Sequence, residues 1–306
     1  MVRPINADMT GRNVVITGAT SGIGVETAVG LARLGASVTI AVRNPTKGAQ
    51  VIADIRRRSG SDLVDQVRLD LVDLDSVRSG AQELLDRLDD IHVLVNNAGI
   101  ITDERRETRQ GFEEMFGVNH LGHFLLTDLL TERLVASAPA RVVVVSSVAH
   151  RLARGGLRFD DLQTTRGFKM FPAYGRSKLA NAMYALELAR RLEGTGVTVN
   201  CLHPGTVQSG FGSDGDTRLL GRLIGLVGGL VMSDPTQGAS TSVMLASSND
   251  PRVAEVSGGY FSHRRQWRPS KAARDVGAGG RLWDVSRSLV AEGDLVEAGL
   301  SGRAAS

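Results

Sequence analysis

The stretch NVVITGATSGIG (13–24) runs an unbroken apolar segment into a glycine-rich turn, just where a helical pattern opens. The first five residues, NVVIT (13–17), are uniformly apolar rather than alternating, as expected of a strand covered on both faces. Gly18, Gly22 and Gly24 permit positive φ and close backbone approach. A helix starting there offers free N–H groups and a partial positive charge suited to a pyrophosphate, with Thr20, Ser21 and Ile23 filling the turn. The spacing is TGxxxGxG, not GxGxxG, and in isolation it also reads as plain turn chemistry. Its place in the first strand–helix unit favours a nucleotide, because open α/β sheets bind dinucleotides there.

The same rhythm continues outward from this unit. Short aliphatic runs occur at SVTIAV (37–42), QVRL (66–69), HVLV (92–95), RVVVVSS (141–147), VTVNCL (197–202) and GGYFS (258–262). Amphipathic segments lie between them, at about 22–34, 45–59, 74–88, 111–136, 173–193, 235–247 and 280–290. Strand–helix–strand repetition predicts an α/β fold: a doubly wound parallel sheet of about seven strands, with helices on both faces. No break in composition marks a second domain. One domain over 11–291 is expected, after an N-terminal arm (1–10) and before a Gly/Ala/Ser-rich flexible tail (292–306).

Composition narrows the class of protein. With 42% hydrophobic and 23% charged residues, the 306-residue chain resembles an ordinary soluble globular protein. A net charge of +3 is spread along the sequence, and basic clusters such as Arg56-Arg57-Arg58 lack interleaved aromatics, which argues against nucleic-acid binding. The single cysteine, Cys201, excludes an internal disulfide and suits a reducing, cytoplasmic setting. No apolar signal segment opens the chain, and no transmembrane segment is expected. The most apolar stretch, LLGRLIGLVGGLVM (219–232), is too short to span a bilayer and contains Arg222.

The tips of the later strands extend the nucleotide reading. A carboxylate ending the second strand would hydrogen-bond a ribose 2′-hydroxyl and repel a 2′-phosphate. That strand instead ends Ala41-Val42-Arg43. A guanidinium pairs well with phosphate, so NADP(H) is favoured over NAD(H), the alternative being an ordinary surface arginine. The third strand ends LDL, where Asp70, beside Leu71, is placed to accept from an adenine amino group. The fourth ends NNAG (96–99), so that Asn97, Ala98 and Gly99 would line the cofactor.

Farther along, PAYGRSKLAN (172–181) sets Tyr174 and Lys178 four apart on a helix, hence on one face. Alone, such a pair is usually a packing contact. Beside a nucleotide and after Ser146-Ser147, it reads as acid–base chemistry. A phenol normally titrates near 10, and a neighbouring ammonium is expected to lower that value. His120, His123 and His150 have no carboxylate at ligand spacing, so structural roles are expected for them and no metal is assigned.

At this point the chain resembles the short-chain dehydrogenase/reductase family over about residues 10–265. TGATSGIG, NNAG, Asn119 in GVNHLGHF, VSS (145–147), YGRSK (174–178) and HPG (203–205) match it in type and order. VNHLGHFLLT, SSVAH and SKLAN are most similar to its retinol-dehydrogenase-like branch. The resemblance implies a Rossmann-type fold and a hydride transfer in which Tyr174 is the general acid/base. Lys178 would tune it and hold the nicotinamide ribose. Ser147, not Ser146, would stabilise the substrate oxygen, and Asn119 would join Lys178 through water in a proton relay. Pro204, Gly205 and Thr206 would pack against the nicotinamide carboxamide. The branch implies an apolar, bulky alcohol, ketone or aldehyde as substrate and NADP(H) as cofactor. The alternative is a catalytically silent nucleotide-binding or scaffold protein of the same fold.

Two segments fall outside the strand–helix rhythm. Ser147 and Tyr174 are separated by a long excursion, in which Phe168, Met170 and Phe171 either wall the substrate or pack at the surface. Residues 206–234 read as a lid over an apolar substrate, the competing readings of 219–232 being an oligomer contact or a membrane-surface patch. A homodimer or homotetramer is possible through helices 111–136 and 173–193.

Overall fold

Strand β1 (Asn13–Thr17) lies near the middle of an eight-stranded sheet in the computed structural model, which describes residues 7–205 and 235–297, the final six as backbone only. On one side of β1 lie β2 (Ser37–Val42) and then β3 (Val64–Arg68). On the other lie β4 (Val93–Asn96), β5 (Ala140–Val145), β6 (Val197–His203), β7 (Tyr260–Ser262) and β8 (Arg265–Trp267). Pairing is parallel throughout except for β8, which runs antiparallel to β7. The seven expected strands are present, and β8 is an addition. Its three residues are all exposed, so it carries no apolar signal that the sequence could display.

The uniformly apolar strands follow from two cores, one on each face. Val15 of β1 and Val142 and Val144 of β5 join the core beneath α3 (Leu74–Arg87), α5 (Gly122–Ala136) and α6 (Met170–Arg191). Val14 and Ile16, with Val143 and Val145, join the core beneath α1 (Gly22–Arg33) and α7 (Pro235–Ser247). Successive side chains point to opposite faces, so a strand between two helical layers must be apolar at every position. Helix α2 (Pro45–Ser59) adds Ile52 and Ile55 to this second core; it is capped by Asn44, whose side chain accepts from the Thr46 and Lys47 amides, and closes on Gly60 in the left-handed region.

Three helices depart from their expected bounds, the last of them (Val276–Glu297) running past 280–290 at both ends. The segment 111–136 is not one helix: a single turn, α4 (Glu114–Phe116), leads through a π turn (Gly117–Leu121) into α5. Residues 117–121 are all buried, which hides any amphipathic period there. Helix α6 starts at Met170, three residues before its expected beginning, with Pro172 inside its first turn. Proline is tolerated there because a first-turn N–H has no intrahelical partner.

The last described helices are the short α8 (Pro251–Ala254) and α9 (Val276–Glu297). Helix α9 lies across α6 and α5. Trp283 stacks on Tyr184 with centroids 6.0 Å apart and meets Phe124 edge-on at 5.0 Å, while the Arg191 guanidinium sits 4.4 Å over its ring. Part of the surface expected to pair across a two-fold axis therefore carries the chain's own helix. No described helix is long and apolar enough to cross a membrane. The segment 206–234 expected to form a lid lies outside the described residues, as does Thr206.

Candidate active site

Strand order reverses between β1 and β4, both of which pair with neighbours leading in opposite directions. The loops leaving their carboxyl ends diverge there and open a crevice. Gly18, at φ +67°, forms its wall: a Cβ at this position would stand 2.6 Å from the Ala98 Cα. At Gly24 an added Cβ would stand 2.3 Å from the Gly18 carbonyl oxygen. Only glycine lets β1, the β4 tip and α1 converge this closely. Ser21, the N-cap residue of α1, makes no side-chain capping bond, so the first-turn amides keep their capacity for an anion. These features fit the pyrophosphate of a dinucleotide.

The side chain of Asn97 has a structural part. Its Nδ2 donates to the carbonyls of Thr17 (2.9 Å) and Gly18 (3.2 Å), so it braces the glycine turn from behind. Ala98 abuts Gly18, and Leu71 is buried against Gly122 of α5. Asp70 uses Oδ1 to accept from the Val72 amide at 3.1 Å, while its own amide donates to the Ser76 hydroxyl. Arg43 is exposed just beyond β2. Pro204 and Gly205, the latter at φ +90°, follow β6 on the far side of the crevice.

The two serines at the end of β5 are sharply distinguished. Ser146 is 2% exposed, and its hydroxyl donates to the Lys178 carbonyl at 2.7 Å, bolting β5 to α6. Ser147 is half-buried and N-caps a 3₁₀ turn (Val148–Leu152), accepting from the Ala149 amide at 3.2 Å. Its hydroxyl lies close enough to the Tyr174 phenol to favour the ionised form. Ser147 and Tyr174 thus meet, although 26 intervening residues separate them in sequence.

That excursion is itself tied down. Asp161 accepts from the amide and hydroxyl of Thr165 and faces Arg158 and Arg166. Burial alone would raise its carboxyl, but these donors and the Arg158 charge hold it at about 2.

Lys178 is 2% exposed and donates from Nζ to the Val145 carbonyl at 3.3 Å. The same Nζ lies 5.9 Å from the Tyr174 ring centroid and borders Gly99, where an added Cβ would be 2.9 Å away. Burial lowers its pKa to about 8. Burial also pushes the Tyr174 phenol up to about 12, with the Ser147 hydroxyl acting in the opposite direction. The expected lowering of the phenol by Lys178 is therefore absent from this arrangement. The ammonium points at a backbone carbonyl rather than at the phenolic oxygen, and desolvation dominates both groups.

Asn119 is fully buried in the π turn. Its Oδ1 accepts from the Ile100 amide at 2.7 Å, and its Nδ2 donates to the Ile100 carbonyl (3.0 Å) and the Ser177 hydroxyl (2.9 Å). The side chain is fully committed, and its backbone carbonyl meets His123 Nδ1 at 3.1 Å.

The three histidines near the site each have a partner. His120 faces the Ser286 hydroxyl at 2.8 Å, and His123 bridges Thr17 and Asn119. His150 donates from Nδ1 to the Ser147 carbonyl at 2.7 Å and accepts the Ser270 amide at Nε2. Its grip on the Ser147 turn was not legible in sequence, because Ser270 lies 120 positions away.

Comparison with known proteins agrees with this geometry. The profile of the family described as short chain dehydrogenase matches residues 12–159. Human Retinol dehydrogenase 14 is 43% identical over 296 residues, covering 92% of this chain and 87% of that protein. The crystal structure of an uncharacterized protein from Mycobacterium paratuberculosis shares 35% identity and superposes with a TM-score of 0.74, covering 93% of this chain and 95% of that one. A Pseudomonas aeruginosa RhlG/NADP active-site complex shares 26% identity at a TM-score of 0.66, covering 83% and 95% of the two chains. With a dinucleotide cradle at the strand-order switch and such kinship over nine-tenths of its length, this chain belongs to the short-chain dehydrogenase family, on its retinol-dehydrogenase-like branch, and is an oxidoreductase of the CH–OH/C=O pair that uses a nicotinamide cofactor.

Proposed function

We propose that the chain transfers a hydride between NADP(H) and an apolar, bulky alcohol/carbonyl pair, with Tyr174 as general acid/base, Ser147 holding the substrate oxygen and Lys178 supplying positive charge. The observation that carries this reading is the convergence of three groups: the Ser147 hydroxyl acts on the Tyr174 phenol, and the buried Lys178 ammonium lies behind the phenol ring. When bound, the nicotinamide supplies or takes up the hydride.

The chain's own residues do the rest. In carbonyl reduction, Ser147 donates to the substrate oxygen and Tyr174 delivers a proton to it. A phenol held near 12 stays protonated across the working range, which suits an acid. In the oxidative direction it must lose that proton, and Lys178 is the nearby charge that stabilises the resulting phenolate. Asn119 anchors the Ile100 backbone beside Lys178.

Support for NADP(H) comes from Arg43 at the tip of β2, where no carboxylate stands, and from the NADP named in the Pseudomonas aeruginosa structure. Support for an apolar substrate comes from Val148, Leu152 and Phe171, three exposed hydrophobic side chains that flank Ser147 and Tyr174. Leu152 lies over Gly175, where an added Cβ would be 3.3 Å from the Leu152 Cβ. The retinol dehydrogenase name of the relatives points the same way.

The test is a panel of fused-ring, retinoid-like and aliphatic carbonyls followed by NADPH absorbance, with wild type, Tyr174→Phe and Arg43→Ala compared. Tyr174→Phe is expected to abolish turnover while NADPH still binds. Arg43→Ala is expected to lower the NADPH/NADH preference by about tenfold, the scale of one charge-assisted hydrogen bond. A fully active Tyr174→Phe enzyme refutes the acid/base assignment.

A further inference from the structure

Thr17 closes β1 at the floor of the crevice and is 1% exposed. Its Oγ1 lies 3.0 Å from the Asn97 amide and 3.1 Å from the Ala98 amide, both of which can only donate to it. Two further atoms compete for its single hydroxyl proton: the Val95 carbonyl at 3.4 Å and His123 Nε2 at 2.8 Å. The tautomer of His123 settles that competition. Its Nδ1 lies 3.1 Å from the Asn119 carbonyl, which has no proton to give, so Nδ1 carries the ring hydrogen. Burial keeps the ring neutral, with a pKa lowered to about 4. A neutral ring with hydrogen on Nδ1 has a bare Nε2, which accepts the Thr17 proton. Both lone pairs of Oγ1 then face the Asn97 and Ala98 amides, and every polar atom in the cluster is satisfied.

We propose that His123 is a positioning residue for the cofactor floor: by taking the Thr17 hydroxyl proton it turns Thr17 toward the Asn97 and Ala98 amides and fixes the β4 tip against the glycine turn. This rests on the reading of that floor as the nicotinamide dinucleotide site. Precision matters here because Ala98 is the atom wall that Gly18 nearly touches, and Gly99 next to it borders both Lys178 Nζ and Asn119 Oδ1. Without an acceptor at Nε2, the hydroxyl turns to Val95 O, which already accepts the Asn97 amide. The Ala98 amide then loses its partner, and the displacement reaches both the cofactor wall and the lysine.

Two measurements test this. The first is ¹⁵N NMR of the histidine-labelled wild-type protein, with the His123 signal assigned by its loss in His123→Gln. The expected ring has a protonated Nδ1 and a bare Nε2, unchanged from pH 8 to 5. A ring protonated at Nε2, or one titrating in that range, overturns the proposal. The second is NADPH affinity by titration calorimetry, with melting temperature recorded alongside. His123→Leu and Thr17→Val are each expected to weaken NADPH binding about tenfold, and their combination no more than either alone. His123→Gln, whose carboxamide oxygen reaches the Nε2 position, is expected to stay within about threefold of wild type. A His123→Leu protein that melts earlier yet binds NADPH normally has lost only packing, and that result overturns the proposal. If His123→Leu does not fold, Thr17→Val and His123→Gln decide on the same criteria. A wild-type chain that binds no NADP(H) refutes the cofactor reading and this proposal with it. Binding by wild type and His123→Leu alike refutes only this one.

Discussion

The Ser146 hydroxyl donates to the Lys178 carbonyl across the β5–α6 junction, at 2.7 Å in a fully enclosed setting. One serine thus acts as a bolt and its neighbour, Ser147, faces the Tyr174 phenol. The two Ser→Ala substitutions should therefore separate. Ser146→Ala is expected to cost about 1 kcal/mol of stability by removing a buried hydrogen bond, the Lys178 carbonyl keeping its partner within the helix, with most catalytic activity retained. Ser147→Ala should leave the unfolding midpoint nearly unchanged and reduce kcat at least about a hundredfold, as for an oxyanion-hole donor. Urea titrations and steady-state rates check both, and a reversed pattern would exchange the roles of the two serines.

Lys178 rather than Tyr174 should set the basic limb of the reductive pH profile. The kcat/KM profile reports groups of the free enzyme. In the structure Lys178 titrates at about 8 and Tyr174 at about 12. As pH rises through 8 the ammonium loses its charge, so kcat/KM should decline there while the phenol still holds its proton. A rate profile flat to pH 10 would show that Lys178 keeps its charge and that burial has been given too much weight.

Glycine 24 should tolerate no side chain. Its added Cβ would lie 2.3 Å from one carbonyl oxygen and 2.7 Å from Asn97 Nδ2, both parts of the braced turn. Gly24→Ala is expected to cost about 1–3 kcal/mol and to weaken NADPH binding in parallel. Gly155→Ala, which has open space around it, is the control and should change neither. Calorimetric melting and NADPH titration of the pair check this, and normal NADPH affinity in Gly24→Ala would move the cofactor away from this turn.

Acid should destabilise the fold before most carboxylates titrate. His120 and His123 are buried neutral, with pKa values lowered by desolvation to about 3 and about 4. In the unfolded chain both titrate near 6.5. Between those limits the unfolded state binds more protons, so stability is intact above pH 6.5 and is lost as pH falls toward 4. The two together give a slope of up to about 3 kcal/mol per pH unit. Urea unfolding at pH 7.5, 6 and 5 measures it. His203, likewise held low by burial at about 4, adds to the same slope. His120→Phe should lower the slope by up to about 1.4 kcal/mol per pH unit, and an unchanged slope would mean that the His120 ring gains a proton without unfolding.

Much of this architecture is legible in the sequence because burial on two faces leaves a plain signature. Runs such as SVTIAV and RVVVVSS have no polar alternation, and each became a central strand. Strand β8 left no trace, since three exposed edge residues are held only by pairing with β7. The π turn was hidden for the opposite reason: total burial erases helical period. At the site, spacing placed Tyr174 and Lys178 on one face, but it could not tell that the ammonium would turn to Val145 O. Nor could it show that Asn97, expected to line the cofactor, would use its side chain to brace the glycine turn. His123 left one usable sign, standing four residues after Asn119 on the same helical face.

The docking of α9 has a spectroscopic consequence. The chain's two tryptophans sit in opposite environments: Trp283 is 7% exposed beneath the Arg191 guanidinium, and Trp267 on β8 is 50% exposed beside His263. Their intrinsic fluorescence therefore separates into a blue component that follows the C-terminal helix and a red one that follows the sheet edge. Detachment of α9 changes the emission of the first while leaving the second in water as before, so one emission spectrum distinguishes loss of the helical cover from disturbance at the edge.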